Sequence, residues 1–177
     1  MNDNYQATAR EKALNVALAF LLAASGILAT LVSGTTQKAH AAETASLTVG
    51  GSIYYAGWGT SWFSVDGEMA YCGNPSASTP GSGTYEKQAL SAPSGRSAET
   101  AADLWFGYGS PGFDASLFPA TWYDGTAMTD ARYAALTHIL VSDTFSSNGD
   151  YALYGCSETF KSWCRQNVIG FGTDGAE

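Results

Sequence analysis

Asp66-Gly67 stands between two apolar runs, Ser61-Trp62-Phe63-Ser64-Val65 and Glu68-Met69-Ala70-Tyr71-Cys72, and no other feature of the sequence restricts the fold as tightly. A two-residue Asp-Gly connection accepts the left-handed backbone of a tight hairpin turn, so the two runs are expected to pair as antiparallel strands. Cys72 then falls on, or at the end of, a paired strand. Gly73-Asn74-Pro75 stops the pairing directly after it, because proline lacks the N–H that a ladder needs and glycine relaxes the backbone. The sulfur is thereby set where strand becomes loop. That position suits a reactive group, and it equally suits a buried structural cysteine or one half of a disulfide.

The chain has 177 residues and opens with Arg10 and Lys12 ahead of a charge-free, Ala- and Leu-rich run over 13–32. This pattern predicts a secretory signal, cleaved after Ala41 at the small-x-small pattern Ala39-His40-Ala41. The run also reaches the roughly 20 residues that span a bilayer, so an uncleaved signal anchor is the alternative. Residues 1–41 are accordingly set apart from a module over 42–177. That module keeps five basic and fourteen acidic side chains, a net of −9. Its cations, Lys87, Arg96, Arg132, Lys161 and Arg165, are scattered, which argues against a nucleic-acid partner, since phosphate backbones are held by clustered Lys and Arg. The acidity suits solubility outside the cell. About 135 residues make one domain. They carry every aromatic side chain except Tyr5 and Phe20, enough bulk for one core.

Ser46–Val49 and Ser52–Tyr55 are β-branched and aromatic runs separated by Gly50-Gly51, and they read as strands preceding the hairpin. From Asn74 to Gly95 the composition turns to Ser, Pro, Gly and Thr, predicting a long loop. Ser97–Phe106, with a capping Ser and early acids, reads as a short helix ending at Gly107-Tyr108-Gly109. The following segment is irregular but supplies Phe113, Leu117, Phe118, Trp122 and Tyr123 as a wall, lid or core-covering loop. Thr129 caps the clearest helix, Asp130 to about Phe145, apolar around most of its circumference and therefore central. A last helix follows Ser157, with Phe160, Trp163, Cys164 and Val168 inward. Strands first and helices after make the class α+β: an N-terminal antiparallel β-sheet followed by a small helical subdomain.

Three cysteines leave one over. Cys156 and Cys164, about two helical turns apart, are the expected internal disulfide, a geometrically demanding one, with Cys72 as the free thiol. Cys72 and His138 are the candidate catalytic pair, since an adjacent imidazole lowers a thiol pKa and later returns the proton to a leaving group. His138 also fits a packed core histidine on the stripe Ala134-His138-Val141-Phe145. No metal is expected, because Cys72, His138, Cys156 and Cys164 lack the spacing of structural zinc sites. No cofactor is expected either: phosphate-binding Gly loops and Gly-x-Ser-x-Gly elbows are absent.

The succession Ala70-Tyr71-Cys72, Asn74-Pro75-Ser76, Leu104-Trp105-Phe106-Gly107-Tyr108-Gly109 and Tyr133-Ala134-Ala135-Leu136-Thr137-His138-Ile139-Leu140 resembles the thioester domains at the tips of Gram-positive surface adhesins. The resemblance implies a cysteine joined through sulfur to the side-chain carbonyl of a Gln in a Thr-Gln motif, an internal thioester that captures amines on host surfaces. It also implies a Gly-Tyr pair between the two motifs. In that register Tyr71-Cys72 matches the cysteine motif and Thr137-His138 falls on the Thr-Gln motif, with His138 in place of Gln. An imidazole is not an acyl group, so Gln166 is the candidate thioester partner if the register is shifted. A stored acylating agent needs a dry pocket, for which Tyr71, Trp105 and Tyr108 are the candidate wall. The resemblance therefore implies a secreted adhesin module at the surface of a Gram-positive bacterium, part of a longer surface protein. Its role is attachment, covalent or not, to a host or surface protein or polyamine ligand. The alternatives from the residues are a cell-wall-directed Cys/His hydrolase or transpeptidase, and a non-reactive disulfide-stabilised module.

Overall fold

The computed structural model describes residues 43–168; the apolar run, the Ala39-His40-Ala41 pattern and the boundary at Ala42 lie outside them. The expected hairpin forms. Strand β2 (Trp58–Val65) pairs antiparallel with β3 (Glu68–Ala70), Val65 opposite Glu68 and Phe63 opposite Ala70. Asp66 and Gly67 take φ of 54° and 91°, the left-handed pair whose twist matches that of the flanking strands. Asp66 also ties the turn to its surroundings, accepting from the Ser46 N–H at 2.8 Å and pairing with Lys87 at 3.3 Å.

The two runs expected as separate strands upstream are one strand. It is β1 (Thr44–Tyr55), and it pairs antiparallel with β2. Val49 lies opposite Phe63 and Ser52 opposite Ser61, so Gly50 and Gly51 together face Trp62 as a β-bulge. The long segment after Asn74 also differs from expectation. Gly83–Glu86 forms an exposed edge strand, β4, paired with the start of β1. Four residues without apolar alternation carry no strand signal of their own, and β1 supplies the pairing from elsewhere in the chain. The sheet order is β3-β2-β1-β4.

Three helices follow: α1 (Ser97–Phe106), α2 (Asp130–Phe145) and α3 (Glu158–Asn167), so the fold is α+β. Ser97 is not the cap of α1 as its position suggested; it is the first helical residue, and its hydroxyl accepts from the Ala92 N–H at 2.9 Å. Thr129 does cap α2, accepting from the Arg132 N–H, and Ser157 caps α3 through the Phe160 N–H. Helix α2 is buried without a break from Ala134 to Ser142, which makes it the axis of the module.

Side chains alternate across a strand, so the β1–β2 register puts Ile53, Tyr55, Trp58 and Trp62 on one face and Ser52, Tyr54, Gly59 and Ser61 on the other. The first face meets the core of Leu136, Ile139, Leu153 and Phe160, all at most 2% exposed. Burying side chains of this size contributes about 1.5–3 kcal/mol each before the entropy of ordering them is counted. The second face is turned away from α2, and Tyr54 on it is 83% exposed. Among the described residues no helix is long and apolar enough to cross a membrane.

Candidate functional site

Cys72 lies just past the end of β3, half-buried, and α2 holds it by its backbone. The Ser142 hydroxyl donates to the Cys72 carbonyl at 3.2 Å, and the His138 imidazole bonds to the same oxygen. Residues four apart share one helix face, so one stripe of α2 supplies both donors. Phe145 continues that stripe: a Cβ on Gly73 would fall 2.5 Å from its ring. Glycine at 73 therefore lets the chain leave β3 pressed against the helix. Beyond it Asn74 closes a local turn, its Oδ1 accepting from the Ser76 N–H and hydroxyl, while Asn148 donates to Ser76 at 3.0 Å.

A second clasp forms one residue back on each motif. The Tyr71 hydroxyl donates to the Tyr108 carbonyl at 2.5 Å, and the Tyr108 N–H donates to Thr137 Oγ1 at 3.0 Å. Thr137 returns its own hydroxyl proton to the Tyr133 carbonyl. A Cβ on Gly107 would lie 2.3 Å from Thr137 Cγ2 and 2.6 Å from the Asp103 carbonyl oxygen, so only glycine allows α1 to end this close to α2. Tyr71-Cys72, Gly107-Tyr108 and Thr137-His138 thus converge at one place. The wall of aromatics continues outward from Tyr108, with Trp62 at 6.2 Å, Phe113 at 5.4 Å and Tyr133 stacked at 6.5 Å between ring centroids.

The electrostatics follow from burial. His138 is 3% exposed, and loss of water drives its pKa down to about 4 although the bond to the Cys72 carbonyl works the other way. The imidazole is therefore neutral at pH 7. Its Nδ1 has no partner and can act as an acceptor. The Cys72 thiol is raised above its ordinary value by burial, opposed in part by a backbone hydrogen bond from Asn74, and Sγ is turned to the Asn74 carbonyl at 3.3 Å. Both shifts oppose a thiolate–imidazolium pair. Asp103, bonded to Thr144 Oγ1 at 2.8 Å, is raised by burial to about 7.

The other expected site residues lie elsewhere. Gln166 is exposed on α3, its amide bonded to Ser162 one turn back at 2.9 Å, and no hydrogen bond among the described residues brings it to Cys72. Trp105 packs on Gly112, whereas Tyr71 and Tyr108 form the clasp. Cys156 and Cys164, expected as a disulfide, are free thiols in one buried cluster. The Cys156 thiol is turned to the Tyr55 carbonyl at 3.6 Å, and burial pushes the two up to about 11 and about 12. Asp143 pairs with Arg96 at 3.3 Å. Among the described residues no group of three or more His, Cys, Asp or Glu side chains could hold a metal ion. Ser142 was not singled out in the sequence; its spacing of four from His138 was the signal.

The fold and site define a small α+β module in which a strand-end cysteine is clasped to a central helix by three short motifs. A family model described as a thioester domain matches residues 44–169. The chain belongs to the thioester-domain family. No curated protein and no solved structure matches it significantly.

Proposed function

We propose that this thioester-domain module is an attachment module acting outside the cell, of the adhesin type, and that it holds its ligand without an internal thioester. The observation that carries the second half is the His138 imidazole against the Cys72 carbonyl, at the place where the family pattern has the acyl-donating Gln. An imidazole offers no carbonyl carbon for the sulfur to attack. What is left is a protonated thiol turned to the Asn74 carbonyl inside an aromatic-walled site. The family's ligand class, a host or surface protein or polyamine, is the ligand class proposed here.

A second reading, a Cys72/His138 hydrolase or transpeptidase, has one observation in its favour: the unpartnered Nδ1 is a free base that a thiol proton or substrate could meet. Intact mass and thiol alkylation separate the readings. The expected result is the full mass, with Cys72 alkylating slowly and titrating above the free-thiol value of about 8.5. A mass short by one ammonia, restored in Cys72→Ala, would overturn the thioester-free reading. Fast alkylation well below that pKa, slowed in His138→Ala, would establish the enzyme.

A further inference from the structure

A cleft of about 290 Å³ lies between the β1–β2 hairpin and Thr79 of the loop that follows Cys72, formed by Ser52, Tyr54, Gly59 and Ser61 of the face turned away from α2 and closed at the strand edge by Trp58 and Thr60. None of the residues lining it is charged, in a chain with sixteen acidic side chains. Ser52 and Ser61 stand directly opposite each other across the two strands. Tyr54 rises beside them, 83% exposed, its ring edge 3.2 Å from where a Cβ on Gly59 would be. A side chain at 59 would push the ring away, so glycine there seats the tyrosine on the strand.

Several hydroxyls near the Cys72 loop are engaged internally: Ser76 with Asn74, Ser94 with the Thr144 carbonyl, Ser146 with Asn148. Those of Ser52, Ser61, Thr79 and Tyr54 bond to no other described residue. Each is both donor and acceptor. A seated aromatic ring flanked by unused neutral hydroxyls, with no charge to attract an ion, matches the two halves of a sugar ring. The C–H edges of the sugar carry partial positive charge and pack on the negative face of an aromatic ring. Its hydroxyls exchange hydrogen bonds with neutral hydroxyl partners. An apolar contact with a few oriented polar groups is the usual make-up of a small-ligand site.

We propose that this cleft is a subsite for a neutral glycan, with Tyr54 as the stacking platform and Ser52, Ser61 and Thr79 as its hydrogen-bonding partners. The subsite is separate from the Cys72 site and does not depend on the reading given to it.

Saturation-transfer NMR with chitohexaose, cellohexaose and maltohexaose tests it, using wild type, Tyr54→Ala, Tyr54→Phe, Ser61→Asp and Cys72→Ala. At least one saccharide binds wild type and Cys72→Ala alike. Tyr54→Ala weakens it by about ten-fold or more, the scale of a lost aromatic contact, while the thermal midpoint is unchanged because the ring is exposed. Tyr54→Phe keeps the stacking and most of the affinity, and Ser61→Asp weakens it. Failure of all three saccharides, or equal binding to Tyr54→Ala, overturns the proposal. So does a Tyr54-dependent retention on a protein-coated surface that none of the saccharides competes, which would assign the face to a protein instead.

Discussion

In the register proposed above, one side chain at position 138 separates this module from the covalent pattern of its family. The imidazole occupies the stripe of α2 that faces Cys72, and glutamine is of similar length and carries the carbonyl that imidazole lacks. In His138→Gln the Cys72 sulfur is expected to attack the new side-chain carbonyl, forming the S–C bond and expelling the amide nitrogen as ammonia. Intact mass would then show a population lighter by one ammonia, absent from the double variant with Cys72→Ala and removed by a small primary amine, which takes the acyl group and frees the thiol. Full mass throughout would mean that the Sγ position, held toward the Asn74 carbonyl at 3.3 Å, is incompatible with acylation whatever stands at 138. The residue signals for Cys72 and His138 were legible because hairpin and helix periodicity place them. The bond from His138 to the Cys72 carbonyl was not, since that carbonyl lies in a different element.

Between elements, the contact that sets the site is the end of α1 against α2, and Gly107 governs it. A methyl there meets both the Thr137 side chain and the Asp103 backbone oxygen, and the backbone contact leaves no side chain free to swing aside. Gly107→Ala is therefore expected to cost about 1–3 kcal/mol, the usual range for overpacking a close contact, and to loosen the Tyr108–Thr137 clasp. The check is a shift of the urea midpoint against Gly81→Ala, where a Cβ meets nothing within 4 Å and no shift is expected. Elements with strong local signals were readable: the Asp66-Gly67 turn, the Thr129 cap and the long apolar α2. Those that exist through pairing were not. The strand β4 depends on β1, the bulge at Gly50-Gly51 depends on Trp62, and Ser97 forgoes capping because the Ala92 N–H claims its hydroxyl.

Over the whole molecule, buried groups of opposite sign set the response to pH. His138 has a folded pKa of about 4, below its ordinary 6.5, so the unfolded chain takes up that proton first. Its contribution is present above pH 6.5 and is lost as the pH falls to 4, on the order of 3 kcal/mol in all. The exposed carboxylates Asp66, Asp114, Asp124 and Glu158 are depressed by hydrogen bonds, so they too lose stabilisation on acidification. Asp103 runs the other way. Burial raises it from 3.8 to about 7, so the folded chain binds its proton more readily, and its contribution is full below pH 3.8 and lost as the pH rises to 7. Urea unfolding at pH 4, 5.5 and 7 resolves the two. Asp103→Asn is expected to gain stability over wild type at pH 7 and to lose that advantage by pH 4, whereas His138→Gln flattens the loss between pH 6.5 and 4. If Asp103→Asn instead showed the same difference from wild type at all three values, the Asp103 carboxyl would not be titrating across this window. The Thr144 bond that joins α1 to α2 would then hold a charged partner, and the pH response of the module would be left to His138 and the surface carboxylates.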